Sequence, residues 1–172
     1  MKNLAFMGKM RSGKDTVASI LSENNQVESL AFGDGIKEVA WKYFPELMKQ
    51  GKQRKLLQEI GQTFRRHHQH VWINHLDRRF KRSNMPNVFV TDLRQPNEHF
   101  YLKQNGFTIV KVHVDRDIQI ERLKASGDHY ELADLDHETE KHIDYLPFDY
   151  TVFNNGSLED LQQQLKQLKG IL

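Results

Sequence analysis

The residues whose types and spacing point most directly to chemistry are Gly8-Lys9-Met10-Arg11-Ser12-Gly13-Lys14-Asp15. They follow the apolar run Leu4-Ala5-Phe6-Met7 and precede Thr16-Val17-Ala18-Ser19-Ile20-Leu21, which reads as a helix. Strand, glycine-bounded loop, lysine and helix together are the layout of a phosphate-binding loop. Gly8 and Gly13 permit the tight turn and the close approach of an anion to backbone N–H groups. Lys14 brings a full charge to β- and γ-phosphate oxygens, and the helix N-terminus adds its partial positive charge. The pattern predicts a bound nucleoside triphosphate contacted by Gly8, Arg11, Ser12, Gly13, Lys14, Asp15 and Thr16. Position 15 departs from the usual pattern: a Ser or Thr there ligates Mg²⁺ through its hydroxyl, and this chain has Asp. That carboxylate would reach the metal through a water, or Thr16 would help.

Further polar residues fall where strands should end. Asp92 closes the apolar run Asn87-Val88-Phe89-Val90-Thr91, the place of a Walker-B-type acid that holds Mg²⁺ or its waters. The competing reading is a helix cap ahead of Pro96. Arg94 would point into the same crevice, where a guanidinium donates two parallel hydrogen bonds to a phosphate. Asp34 and Lys37 follow the expected second strand, Asp115 and Arg116 the fourth, Asn154 and Asn155 the fifth.

In the segment 53–66, Arg54, Gln58, Gly61 and Arg65 share one helical face beside the apolar stripe Leu56, Leu57, Ile60 and Phe64. A mid-helix glycine costs roughly 1 kcal/mol relative to Ala, so Gly61 calls for a close-approaching ligand or neighbouring backbone. Arg65 would then meet a second phosphate; the alternative is an ordinary polar helix face. Arg116 and Arg122 would stand on either side of a hinge, contacting ATP phosphates when a short lid at about 116–136 closes. The acidic residues Asp128, Glu131, Asp134 and Asp136 in that lid would repel ATP.

These residues need a scaffold. Strands are predicted at 3–7, 28–32, 87–92, 107–114 and 150–153. Helices are predicted at 14–24, from Ile36 to near Pro45, at 53–66, 69–82, after Pro96 to near Asn105, at 117–125, and from a Ser157 cap to about 169. Gly33-Asp34-Gly35 reads as a turn, and Val71, Trp72, Leu76 and Phe80 as inward-facing. Alternating strands and helices predict an α/β, three-layer sandwich: a parallel sheet of about five strands with helices on both faces and ligands at its C-terminal edge. One domain over 1–172 is expected, with an acceptor-binding helical region at about 34–82 and the lid.

Composition narrows the function. A net charge of +2 gives little support to nucleic-acid binding, although Arg65-Arg66-His67-His68-Gln69-His70 and Arg78-Arg79-Phe80-Lys81-Arg82 are basic. Without cysteine there is no disulfide framework or thiolate metal site, and His67, His68, His70 and His75 lack metal-ligand spacing. The apolar residues before Gly8 are too few for a signal peptide, and no apolar run nears the ~20 residues of a membrane span. A soluble cytoplasmic protein without membrane or nucleic-acid partners is expected. Whether two chains pair as a homodimer stays open.

The run from Gly8 to Thr16 resembles the phosphate loop of phage-type deoxynucleoside monophosphate kinases, which also tend to carry Gly-Lys-Asp. The resemblance extends to Ala31-Phe-Gly-Asp34-Gly-Ile-Lys37, to Leu57-Gln-Glu-Ile-Gly61 followed by Arg65, and to Trp72. Val90-Thr-Asp92-Leu-Arg94-Gln-Pro-Asn97-Glu98 is the most specific match after the loop. His137-Glu138-Thr-Glu140 and the stretch from Phe148 through Asn154 to Leu161 are also similar. The resemblance implies a P-loop fold, ATP and Mg²⁺, and transfer of the γ-phosphoryl to a nucleoside 5′-monophosphate. On that pattern Lys14 and the loop amides hold the donor, with Arg116 and Asn154. Asp15 and Asp92 organise the metal. Lys14, Asp92, Arg94 and Arg122 carry catalysis. Asp34, Lys37, Arg65 and Arg94 hold the acceptor, while Gln58 and Trp72 shape its base pocket. Rival readings are a kinase of another small phosphorylated acceptor such as phosphomevalonate, a nucleotide-binding regulatory module, and a nucleic-acid-handling ATPase.

Overall fold

The computed structural model describes residues 3–23, 25–51, 53–125 and 142–169. In chain order the elements are β1 (Leu4–Met7), α1 (Lys14–Ser22), β2 (Val27–Leu30), α2 (Gly33–Tyr43), α3 (Pro45–Lys49), α4 (Arg54–His67), α5 (Val71–Arg82), β3 (Asn87–Leu93), α6 (Pro96–Gln104), β4 (Thr108–His113), α7 (Arg116–Ala125), β5 (Tyr150–Phe153) and α8 (Leu158–Lys169). The expected acidic lid residues and His137 to Glu140 lie outside the described residues.

The strands form one five-stranded parallel sheet in the order β2-β3-β1-β4-β5, the three-layer α/β fold that the alternation predicts. All four residues of β1 are buried, as a strand covered on both faces requires. Leu4 and Phe6 of β1, Phe89, Val110, Val112 and Val152 pack with Val17, Ala18, Ile20 and Leu21 of α1 and Leu161 and Leu165 of α8. Fully burying each large apolar side chain contributes about 1.5–3 kcal/mol. The alternate residues Ala5, Met7 and Ile109 are fully buried on the opposite face.

Successive strands lie to either side of β1, so the strand order reverses at this central strand, where α/β sheets collect ligands. The β1–β3 ladder is interrupted at its C-terminal end. Ala5 pairs with Val90 and Met7 with Leu93, so Phe6 alone faces both Thr91 and Asp92. A bulge of this kind re-aims side chains, and here it falls on the expected metal-binding acid.

Local chemistry sets the element ends. Ser157 Oγ accepts from Asp160 N–H at 3.2 Å, and the Asp160 carboxylate accepts from Ser157 N–H at 2.9 Å, a reciprocal cap for α8. Asp149, just ahead of β5, accepts from Ile109 N–H at 2.7 Å and from the Lys103 ammonium at 2.9 Å. Burial alone would raise the Asp149 carboxyl; the Ile109 N–H, Lys103 and His99 outweigh it and hold it below its usual 3.8.

The chain forms two compact units, one from residues described within 1–29 and 85–172, the other from those within 30–84. The second unit is helical. Its core joins Ala40, Ile60 and Trp72 with Ile36, Val39, Met48, Leu56, Leu57 and Val71. Trp72 donates its indole N–H to the Gly61 carbonyl at 3.2 Å and stacks on Phe64 at 5.3 Å.

Two expectations need correction in this unit. Gly33-Asp34-Gly35 is the first turn of α2, not a loop. A Cβ on Gly35 would lie 2.8 Å from His75 Cγ and 3.0 Å from Trp72 Cε3, so this glycine serves helix packing. α2 ends at Tyr43, near Pro45 as expected, and Pro45 opens the short α3, at the first position where a missing N–H costs nothing. Phe64 is 40% exposed rather than inward, while Ile73 and Leu76 of α5 are buried.

Candidate phosphate-binding site

β1 ends at Met7 and α1 starts at Lys14, so Gly8 to Gly13 make the whole turn. Gly13 has φ 89°, a left-handed conformation that disfavours any side chain, and a Cβ there would collide with Asn154 Nδ2. A Cβ on Gly8 would collide with the Val112 carbonyl and lie 2.6 Å from Ser12 Oγ. Both glycines are therefore required by space. Arg11 has φ 61°, the one positive φ outside glycine among the described residues, and it carries the loop around its tip.

Within the loop Ser12 is fully buried, and its N–H donates to the Lys9 carbonyl at 3.1 Å. Its Oγ has no hydrogen-bond partner among the described residues, a state that costs a buried hydroxyl about 1–3 kcal/mol unless a ligand satisfies it. The Lys14 ammonium crosses the turn, donating to the Gly8 carbonyl at 2.8 Å and the Lys9 carbonyl at 3.1 Å. The first intrahelical bond of α1 runs from Val17 N–H to the Gly13 carbonyl, so the helix itself does not use the amides of its first turn. Ammonium, amides, helix end and buried hydroxyl all belong to one short turn, and an anion is what such a set can hold.

Side chains outside the loop fix its shape. Asn154, 7% exposed at the end of β5, donates through Nδ2 to the Ser12 carbonyl at 2.8 Å. Its Oδ1 accepts from Arg122 at 3.4 Å. Asn154, expected to contact nucleotide, has both ends of its amide engaged within the protein and braces the loop. Gln119, 2% exposed in α7, donates to the Met10 carbonyl at 2.7 Å. Lys9 pairs with Asp144 at 2.9 Å.

Asp15 and Thr16 are exposed on the first turn of α1. Asp92 and Arg94 are half-buried at the end of β3. The Glu98 carboxylate, 3% exposed, accepts from the N–H groups of Arg94 at 3.1 Å and Gln95 at 3.0 Å and so aims the segment after β3. Arg116 is exposed and borders a cavity of about 390 Å³ with Lys9, Lys111, His113, Asp115 and Asp144.

The remaining candidates belong to the helical unit. The Asp34 carboxylate accepts from Arg79 at 2.6 Å and from Ala31 N–H at 3.1 Å, and Lys37 lies 3.7 Å away. Asp34 therefore fixes the start of α2 and ties it to α5, a structural task beside any role in binding. Gly61 accommodates Ile36, whose Cδ1 would be 3.0 Å from an added Cβ, and Arg65 Nη1 would be 3.3 Å from it. A neighbouring side chain, rather than a ligand or backbone, thus accounts for that glycine. Gln58 is exposed on α4, and Trp72 is 4% exposed on α5.

Residues 4–143 match the AAA_18 family, described as an AAA domain. The chain belongs to this family. No curated protein matches this AAA domain in sequence. Its fold is similar to that of TT1252 from Thermus thermophilus, with TM-score 0.59 and 20% identity over 100% of this chain and 99% of the other. It is also similar to shikimate kinase from Bacteroides thetaiotaomicron, with TM-score 0.58 and 16% identity over 98% and 97% of the two chains. A gluconokinase from Sinorhizobium meliloti 1021 matches with TM-score 0.56 and 15% identity over 99% and 94%.

Sequence reasoning missed Gln119, Asp144 and Arg79 in this AAA domain. Gln119 had one legible signal, a polar residue between Ile118 and Ile120. Asp144 and Arg79 reach their partners across long stretches of chain that no spacing rule spans.

Proposed function

We propose that this AAA domain is an ATP-dependent kinase that moves the γ-phosphoryl group to a nucleoside 5′-monophosphate, most simply a deoxynucleotide. The observation that carries the reading is the phosphate loop, which brings together Lys14, two space-restricted glycines and the buried, unpartnered Ser12 hydroxyl. An acceptor phosphate oxygen forms a bond to the γ-phosphorus as the bond to the β–γ bridging oxygen breaks. ADP leaves with that electron pair, and the acceptor becomes a diphosphate. Alignment and charge stabilisation suffice, so no covalent nucleophile is needed.

In this reading Lys14 and the loop amides orient the β- and γ-phosphates, supported by Arg11, Ser12, Thr16 and Arg116. Arg94 and Arg122 stabilise charge on the group in transit. Lys37 and Arg65 bind the acceptor phosphate, with Asp34, Gln58 and Trp72 shaping the acceptor side. Asp15 and Asp92, as oxygen donors, would hold Mg²⁺, which would supply positive charge against the phosphates. The acceptor assignment draws on the family resemblance, and the donor assignment on the loop.

A second reading keeps the transfer and changes the acceptor to a small molecule that is not a nucleotide. The names of two structural neighbours, shikimate kinase and gluconokinase, favour it. An ADP-release assay with Mg-ATP against deoxynucleoside monophosphates, ribonucleoside monophosphates, phosphomevalonate and shikimate separates the two. Release that requires a monophosphate supports the proposal. Release that requires only another acceptor supports the second reading. Release without any acceptor, or none at all, overturns both.

A further inference from the structure

The chain's two tryptophans, Trp41 and Trp72, have opposite surroundings. Trp72 is 4% exposed, its indole N–H donates to the Gly61 carbonyl, and its ring stacks on Phe64. A ring so enclosed acts on an acceptor only through the helices it packs. Trp41 is 48% exposed and borders an open cavity of about 530 Å³ on the helical unit. Tyr43 and Phe44 are exposed close by in sequence but do not border it. Asp34, Lys37, Glu38 and Trp41 share one face of α2, at offsets of three, four and seven, and Arg79 of α5 completes the wall. Charge is ordered along that face. At its N-terminal end Arg79 donates to Asp34 at 2.6 Å, and Lys37 lies 3.7 Å from the same carboxylate. The guanidinium has N–H donors beyond the one given to Asp34, and the Lys37 side chain is 57% exposed, so both retain donors for an anion. The positive end of the α2 dipole lies at this same end. Glu38 follows and repels a phosphate from the other end. Trp41 stands one turn past Lys37, about 6 Å along the axis, a gap that one sugar bridges.

We infer that Trp41 is the platform on which the base of the acceptor nucleotide stacks, with the acceptor phosphate toward Lys37 and Arg79. The inference rests on the nucleoside monophosphate kinase reading and goes beyond it in naming the residue that contacts the base. Trp41 takes the role that the family resemblance gives to Trp72, because it is the tryptophan whose ring a ligand can reach. Stacking on an indole is tolerant of base identity, so Trp41 selects for a base as such, against phosphorylated acceptors that lack one.

The test uses the full chain, with initial rates and its own tryptophan fluorescence as readouts. Each deoxynucleoside 5′-monophosphate is a probe, and deoxyribose 5-phosphate, which has the sugar and phosphate without a base, is the control. Trp41→Ala should raise the KM of a monophosphate acceptor about tenfold or more, the scale of one lost base–aromatic stack, and leave the KM for ATP unchanged. Inhibition by deoxyribose 5-phosphate should be equal in wild type and Trp41→Ala, a separation that a general loss of packing would not produce. Trp41→Phe should keep the acceptor KM near wild type, since a phenyl ring still stacks, while removing the quenching of emission that the acceptor causes in wild type. A wild-type acceptor KM in Trp41→Ala, or deoxyribose 5-phosphate weakened as much as the monophosphate, overturns the inference and leaves the kinase reading standing. A wild-type chain that transfers to no nucleoside monophosphate overturns the kinase reading, and the inference with it.

Discussion

Asn154 and Ser12, far apart in sequence, meet behind the phosphate loop, where the Asn154 side-chain amide donates to the Ser12 carbonyl at 2.8 Å. The bond connects the end of β5 to the turn after β1, so the loop's shape depends on the last strand of the sheet. Arg122 reaches the same Asn154 amide from α7. Loop, strand and α7 are therefore coupled through one buried side chain.

Removing that side chain tests the coupling. Asn154→Ala should cost about 1–3 kcal/mol of stability, because it leaves the Ser12 carbonyl without its partner in a buried site. It should also raise the KM for ATP while changing acceptor KM little. Thermal unfolding and initial-rate kinetics check both effects; an unchanged KM for ATP would show that the loop keeps its shape without the brace.

Gly35→Ala probes the packing of the helical unit. The added methyl would meet His75 and Trp72 at 2.8 Å and 3.0 Å. The expected cost is about 1–3 kcal/mol, typical of overpacking, despite the better helix propensity of Ala. A stabilised variant in a urea titration would contradict the role given to this glycine.

How far the sequence carried the reading follows from the range of each interaction. Residues 3–22 were legible because the loop pattern and its flanking periods are local, and so were the five strands and the Ser157 cap. Gly33 to Gly35 misled because glycine signals both turns and close helix contacts, and only the partner helix with His75 distinguishes them. Phe64 was placed inward because its stripe position cannot report that the unit's core ends there. The place of Asn154 at a strand end is legible in the sequence, but its partner is not, since the register of β5 against β4 sets which neighbour it meets. Gln119, Asp144 and Arg79 act through contacts that arise only after the chain has folded.

Arg65→Ala should raise the acceptor KM about tenfold or more and leave the KM for ATP nearly unchanged, the pattern of a lost charge-assisted contact to one substrate. Initial rates with each substrate varied in turn provide the check. A larger effect on ATP than on the acceptor would reverse the assignment of Arg65.

Asp149 sets one pH dependence. Its folded pKa lies below the usual 3.8, so the unfolded chain binds its proton first as pH falls. Its stabilising contribution is complete above 3.8 and is lost as pH drops through the folded value. Asp149→Asn should therefore be less stable than wild type at neutral pH, with the gap closing below pH 3.8. Chemical denaturation across that range checks this; a gap that widens toward acid would give the opposite sign.

The most direct measurement of the central claim follows the phosphoryl group itself. ATP labelled at the γ-phosphate is mixed with each deoxynucleoside monophosphate, with wild type and Lys14→Ala in parallel, and the products are separated. The account predicts label in a nucleoside diphosphate for wild type, at a rate at least about a hundredfold lower for a folded Lys14→Ala chain. Label released only as inorganic phosphate, or transferred equally by Lys14→Ala, would contradict it.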